Sequence, residues 1–127
     1  LPAENFTGEP PTQAQREEIL SAYWRGWGAL ARAAETNDPA DLPTYWAGPA
    51  LAFARGSLRD GSLAVQAARG HQLRLTYLSA DGSLATLTDE AFTITTPAGD
   101  VTAAAHATLT LDSGFWRVRL LRLDYTP

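Results

Sequence analysis

Few side chains in this chain could move a proton near neutral pH. His106 stands in the middle of "VTAAAHATLTL" (101–111), and His71 follows Gly70. An imidazole changes charge between about pH 5 and 8, so either could act as an acid, a base or a ligand. Asp89 and Glu90 interrupt "LATLTDEAFTITT" (84–96). Neighbours on a strand point to opposite faces, so at most one of them faces a core. Glu90 shares its parity with Leu84, Phe92 and Ile94, the more apolar set at the two ends. If either faces the core it is Glu90, as a buried base or as the partner of Arg74 or Arg117; the plainer reading is an edge or bulge position with both acids in solvent. Two histidines with no Asp or Glu beside them at ligand spacing do not make a zinc site. "GSLRDGS" (56–62) lacks the Lys of a phosphate-binding loop. No nucleophile elbow or Ser-x-x-Lys motif occurs, and no cofactor or metal is expected.

Composition narrows the remaining classes. The 127 residues suit one domain, and 45% hydrophobic residues suffice for a core. The net charge is −4 and the arginines are scattered, so a nucleic-acid footprint is not expected. There is no Cys, which removes disulfides, thiolate sites and a Cys nucleophile. No apolar run approaches the roughly 20 residues that span a bilayer. Cys-free composition fits an extracytoplasmic or membrane-anchored bacterial protein, with a cytoplasmic one as the alternative. "LPAENFTGEPPT" (1–12) holds three prolines and little apolar content, and reads as a linker or flexible arm. The domain proper is residues 13–127.

Elements that would position the candidates emerge from periodicity. Thr12 and Gln15 form a capping box ahead of a helix. Ile19, Leu20, Tyr23, Trp24, Trp27, Leu30, Ala31 and Ala34 recur at helical spacing up to Thr36-Asn37. Gly26 and Gly28 in its middle point to close packing or a kink. A second helix is expected from Asp38-Pro39 to Gly48-Pro49, carrying Leu42, Tyr45 and Trp46. A third covers 50–58, and after a turn at 59–62 a short helix is expected over 63–69. From His71 the period becomes two, giving strands near 73–77, 84–96, 101–111 and 115–125 with turns between them. The fold class is thus α+β, with N-terminal helices packed on a curved antiparallel meander of four or more strands.

This order resembles the nuclear transport factor 2-like (NTF2-like, or SnoaL-like) superfamily and its cone. "AYWRGWGALARAAETNDPADLPTYWAGPAL" resembles the opening helices, "SADGSLATLTDEAF" the hairpin into a central strand, and "DSGFWRVRLLRL" the last strand. The resemblance implies that Tyr23, Trp24, Trp27, Tyr45 and Trp46 line the cone's apolar interior, as a ligand pocket or as a filled core. Within the superfamily the chain is most similar to non-enzymatic accessory domains, such as those of ARC-type plastid-division and bacterial membrane-anchored proteins. The expected function is therefore binding, of a protein partner or a second copy, through the sheet face or cone mouth. The alternative is a small enzyme or carrier for a hydrophobic molecule, isomerase- or cyclase-like, with His106 or Glu90 as its acid or base. If the Ala103, Ala105 and Ala107 face packs on the helices, His106 points outward.

The closing strand adds one constraint. Trp116, Val118 and Leu120 share one face; Arg117, Arg119, Leu121 and Leu123 share the other. The apolar side therefore changes at Leu120-Leu121. Either a β-bulge sits there, or Leu121 and Leu123, with Arg117 and Arg119, mark an interface.

Overall fold

A computed structural model describes residues 7–8, 11–59 and 67–125. Its elements run β1 (Thr7–Gly8), α1 (Gln13–Thr36), α2 (Leu42–Tyr45), α3 (Gly48–Arg59), β2 (Ala67–Arg69), β3 (Leu73–Leu78), β4 (Leu84–Thr96), β5 (Gly99–Asp112) and β6 (Phe115–Tyr125). The helices pack on one face of an antiparallel meander, which is the expected α+β class. Strand order in the sheet is β1-β3-β4-β5-β6, with β2 also paired to β4. β1 falls inside the stretch read as a linker, and it pairs in parallel with Tyr77 and Leu78.

α1 starts and stops where its sequence says it should. The Thr12 hydroxyl accepts from the Gln15 N–H, and the Gln15 side chain accepts from the Thr12 N–H. Asn37 closes the helix in the left-handed region at φ 57°, a conformation that Asn tolerates better than most residues. Ile19, Tyr23, Gly26, Trp27, Leu30 and Ala33 form the buried stripe. α2 is shorter than expected. Asp38 accepts from the Ala40 N–H instead of capping a helix, and the helical turn begins only at Leu42. Trp46 is already extended and bridges to Val118 of β6. Gly48 and Pro49, expected to stop α2, instead open α3: Gly48 adopts φ +52°, where a Cβ would crowd Arg119.

The expected helix over 63–69 is corrected at its end. Ala67–Arg69 is a strand paired with Thr93–Thr95. β4 is long, and its far half needs a hydrogen-bonding partner that β3 does not reach, so pairing overrides local helix preference. Residues 60–66, holding the expected turn and the start of that helix, lie outside the described residues, as do most of 1–12.

Three register shifts bend the meander. They fall at Thr76 in β3, between Asp89 and Phe92 in β4, and between Val118 and Leu120 in β6. An extra residue on one strand sharpens the twist and reverses the face of every residue beyond it. In β6 the extra residue is Arg119, so both Val118 and Leu121 turn inward, and the bulge expected there is found. On β5 the alanine face is the inner one: Ala103, Ala105 and Ala107 are buried. With Ala29, Ala33, Ala50 and Ala54 opposite, small side chains let helices and sheet approach around a central set of rings.

Trp46 links the helical layer to the sheet. It is fully buried, and its indole N–H donates to the Gly26 carbonyl at 2.9 Å. A Cβ on Gly26 would stand 3.4 Å from that ring, so the glycine is where the helix admits the indole. Ala47 continues the contact by donating to the Val118 carbonyl at 2.9 Å. Replacing Trp46 by Phe keeps most of the buried area but removes the hydrogen bond. We expect Trp46→Phe to cost about 1–2 kcal/mol, read from the urea unfolding midpoint at unchanged m-value.

Candidate functional site

The β4 bulge decides which carboxylate goes inside. Before it, Ala85, Leu87 and Asp89 are buried; after it, Phe92, Ile94 and Thr96 are. Glu90 and Ala91 together oppose only Ala104. Asp89 therefore completes the inner face of the first half, and Glu90 is turned out. The inward reading of Glu90 is thus corrected, because parity counting runs through a bulge that reverses it, whereas a bulge position and the Arg74 partner were both expected for it. Glu90 lies at the surface and accepts from Arg74 Nε at 2.9 Å.

Asp89 is fully buried (0% exposed). A carboxylate in that position needs donors on both oxygens, and it has them. Tyr23 Oη–H donates to Oδ2 at 2.9 Å, His71 Nδ1 lies 2.6 Å from the same oxygen, and the Gln72 N–H donates to Oδ1 at 2.9 Å. Chain geometry brings these donors together. β2 and β3 pair with opposite halves of β4, and the link between them, Gly70 to Gln72, crosses at the bulge. Gly70 makes the corner at φ +75°, which a side-chain-bearing residue would resist. His71 then drops from the corner onto Asp89. Its ring lies 5.0 Å from Phe92 and edge-on to Tyr23 at 5.7 Å.

Burial is the main cause that pushes the Tyr23 phenol far above its ordinary 10.0, and the charge of Asp89 adds to it. Trp27 opposes the rise from its place beside the phenol oxygen, yet its buried Nε1–H makes no hydrogen bond. Proximity and hydrogen-bond alignment differ here, and the geometry defines the N–H as unpartnered.

The expected aromatic set divides. Tyr23, Trp27 and Trp46 are buried, with Trp27 edge-on to Trp46 at 5.6 Å and against Phe92 at 5.3 Å. Trp24 is 48% exposed and carries Arg25 on its face. Tyr45 lies between core and surface, in a groove of about 410 Å³ with Glu17, Arg25, Phe115 and Trp116.

His106 is on the outer face of the sheet, 49% exposed, 3.9 Å from Asp124. It belongs to a cross-strand row, Arg74–Thr88–His106–Arg122. The next row, Thr86–Thr108–Leu120, includes a leucine that is 50% exposed. All of these except Arg74 line a groove of about 460 Å³. Leu121 and Leu123, expected at an interface, are partly buried against the core, and Leu121 also lines this groove. Arg117 donates to the Pro43 carbonyl, and Arg119 to Thr110 and Asp112. Sequence reasoning passed over Asp89 and His71 as the leading pair. The available signal was the parity change itself, from Ala85 and Leu87 to Phe92 and Ile94 across adjacent acids.

Among the described residues no group of three His, Asp or Glu side chains could hold a metal ion, and no helix is long and apolar enough to cross a membrane. No family model matches the chain, and no curated protein does. Solved structures share its fold, two of them with TM-scores of 0.56. One is the intermembrane space region of the chloroplast protein ARC6, 17% identical, with a TM-score of 0.56, covering 92% of this chain and 100% of that one. The other is Aln2 from a Streptomyces species, 20% identical, with a TM-score of 0.56, covering 92% of this chain and 94% of that one.

The buried cluster leads to two expected outcomes. Asp89→Asn replaces an acceptor with a donor facing donors, and should cost about 2–4 kcal/mol of stability in chemical unfolding. Tyr23 behaves as a phenol whose folded pKa is raised. Its contribution is fully present below pH 10.0 and is lost as pH rises above that value, because only the unfolded chain ionises it readily. In alkaline absorbance titration one phenol should ionise only as the fold is lost, and Tyr23→Phe should abolish that step.

Proposed function

We propose that this chain is an NTF2-like domain that works by binding a protein surface, with a second copy of itself as the partner, through the outer face of the sheet. The observation that carries this reading is the groove centred on Leu120. A half-exposed leucine on a sheet face is ringed by Thr76, Thr86, Thr88, Thr108, His106 and Arg122. Leu84, on the same face as Thr86 and Thr88, is also exposed. An apolar centre with a polar rim is the anatomy of a protein interface.

Charge on the face favours self-association. Arg74 with Glu90 stands at one end of the cross-strand row, and Arg122 with Asp124 at the other. A two-fold axis through such a row brings the ion pair at one end of a copy against the pair at the other end of its partner, so a charge-matched register is open to a symmetric dimer. Exposed ion pairs contribute little by themselves, so the apolar centre must supply the affinity and the charges the register.

In sedimentation equilibrium over a wide concentration range the wild-type chain should dimerise. Leu120→Arg, at a position already half in solvent, should be monomeric with an unchanged circular dichroism spectrum. A Leu120→Arg chain that associates as well as the wild type would remove this face from consideration.

A further inference from the structure

The groove where β6 begins is not used by the surface reading, and its walls carry a different chemistry. We propose that it is a binding site for a small organic cation with a single positive charge, of the quaternary ammonium class, held between aromatic rings and two carboxylates.

Three elements build the groove. Along α1, Glu17, Glu18, Ser21, Ala22 and Arg25 recur at spacings of three and four, so they share one face of the helix, and all five line the groove. The short Ser21 and Ala22 leave room between the charged side chains. α2 contributes Tyr45. The turn from β5 into β6 holds Ser113 at φ 52° and Gly114 at φ 86°. Two left-handed residues in succession close a tight hairpin, and this one brings Phe115 and Trp116 to the groove. Arg117 donates to the Pro43 carbonyl at 2.9 Å and so ties β6 to α2. The space enclosed is about 410 Å³, the size of a small-molecule site.

Charge and rings together select a cation. Glu17 accepts only from the neutral Gln13 amide at 2.9 Å among the described residues. Glu18 has no partner among them. A cation seated here meets both carboxylates and the faces of aromatic rings, which attract positive charge through their quadrupoles. The protein already holds two of its own cations in this way at the same place. The Arg25 guanidinium lies over Trp24 at 5.5 Å, and that of Arg117 over Phe115 at 5.8 Å. Phe115 is nevertheless 58% exposed, so much of it is open to a ligand.

The kind of cation follows from what the walls lack. A quaternary ammonium has no N–H to satisfy and is weakly hydrated, so it gives up little on leaving water for aromatic walls. An anion would meet Glu17 and Glu18. A basic polypeptide with successive charges would meet Arg25 on the same helix face, which limits the occupant to one positive charge.

The probe is choline, and the control is 3,3-dimethylbutan-1-ol, the same shape with carbon in place of the charged nitrogen. Binding is read by NMR from the indole N–H signals of the four tryptophans. Wild-type protein should bind choline saturably and about fivefold more tightly than the alcohol. Glu18→Gln, at an exposed position, should weaken choline about threefold and leave the alcohol unchanged. Leu120→Arg should bind as the wild type does, which separates this site from the sheet-face reading. Equal binding of the two probes to wild-type protein, no binding of choline, or undiminished binding by Glu18→Gln would each overturn the proposal. Tighter binding of penta-lysine than of choline would overturn it too, by giving the groove to a basic polypeptide. The comparison of probes on the wild type needs no variant, so the proposal is decided even if a substituted chain fails to fold.

Discussion

Strands of 13 and 14 residues are too long to lie flat under one layer of helices. They must bend to keep a single face inward, and the bulges that bend them decide where the functional side chains point. The shift in β4 puts Asp89 inside and Glu90 outside. That in β6 returns Leu121 and Leu123 to the core and pushes Leu120 into solvent. The break between β2 and β3 sits opposite the β4 bulge, and it delivers His71 to the carboxylate that the bulge has buried. One geometric requirement, curvature, thus creates both the interior polar cluster and the apolar spot on the outer face.

Burying Asp89 works against stability unless every lone pair is met. Its three donors come from a helix, a strand corner and a backbone amide, and the helix lies far from the other two in sequence. Such a network rarely outperforms apolar packing of the same volume. What it does supply is uniqueness. The chain cannot slide β4 by one residue without exchanging Asp89 for a neighbour and stranding Tyr23 and His71 without their acceptor. The ion pairs on the outer face, including Arg69 with Asp100, have no such role, because water screens them.

The alanines have the complementary part. On β5 they leave room beside Phe92 and Asp89, with which Ala103 and Ala105 pair. The rings of Trp27, Trp46, Phe53 and Phe92 use that room in edge-on and tilted contacts. Trp46 enters beside Gly26 of α1, where the chain leaves the helical turn at Tyr45. Its N–H finds the Gly26 carbonyl, whereas that of Trp27 stands near the Tyr23 oxygen without an aligned hydrogen bond.

The amino-acid sequence by itself determined what is local and periodic. The capping box at Thr12, the helix end at Asn37, the buried Ile19, Tyr23, Trp27 and Leu30 of α1 and the outward His106 opposite an alanine face all come from residue types at fixed spacing. The α+β order comes from the change of period at His71. The tertiary structure decided whatever depends on two strands agreeing. It set the extent of β2, which forms because β4 offers an unpaired edge, and the short α2, which ends where Trp46 meets Val118. It also chose between Asp89 and Glu90. Periodicity is counted along one strand, but a bulge is defined by the partner, and a single extra residue reverses every assignment beyond it. The adjacent acids marked the place, and only the pairing with Ala105 and Ala103 settled which of them faces in.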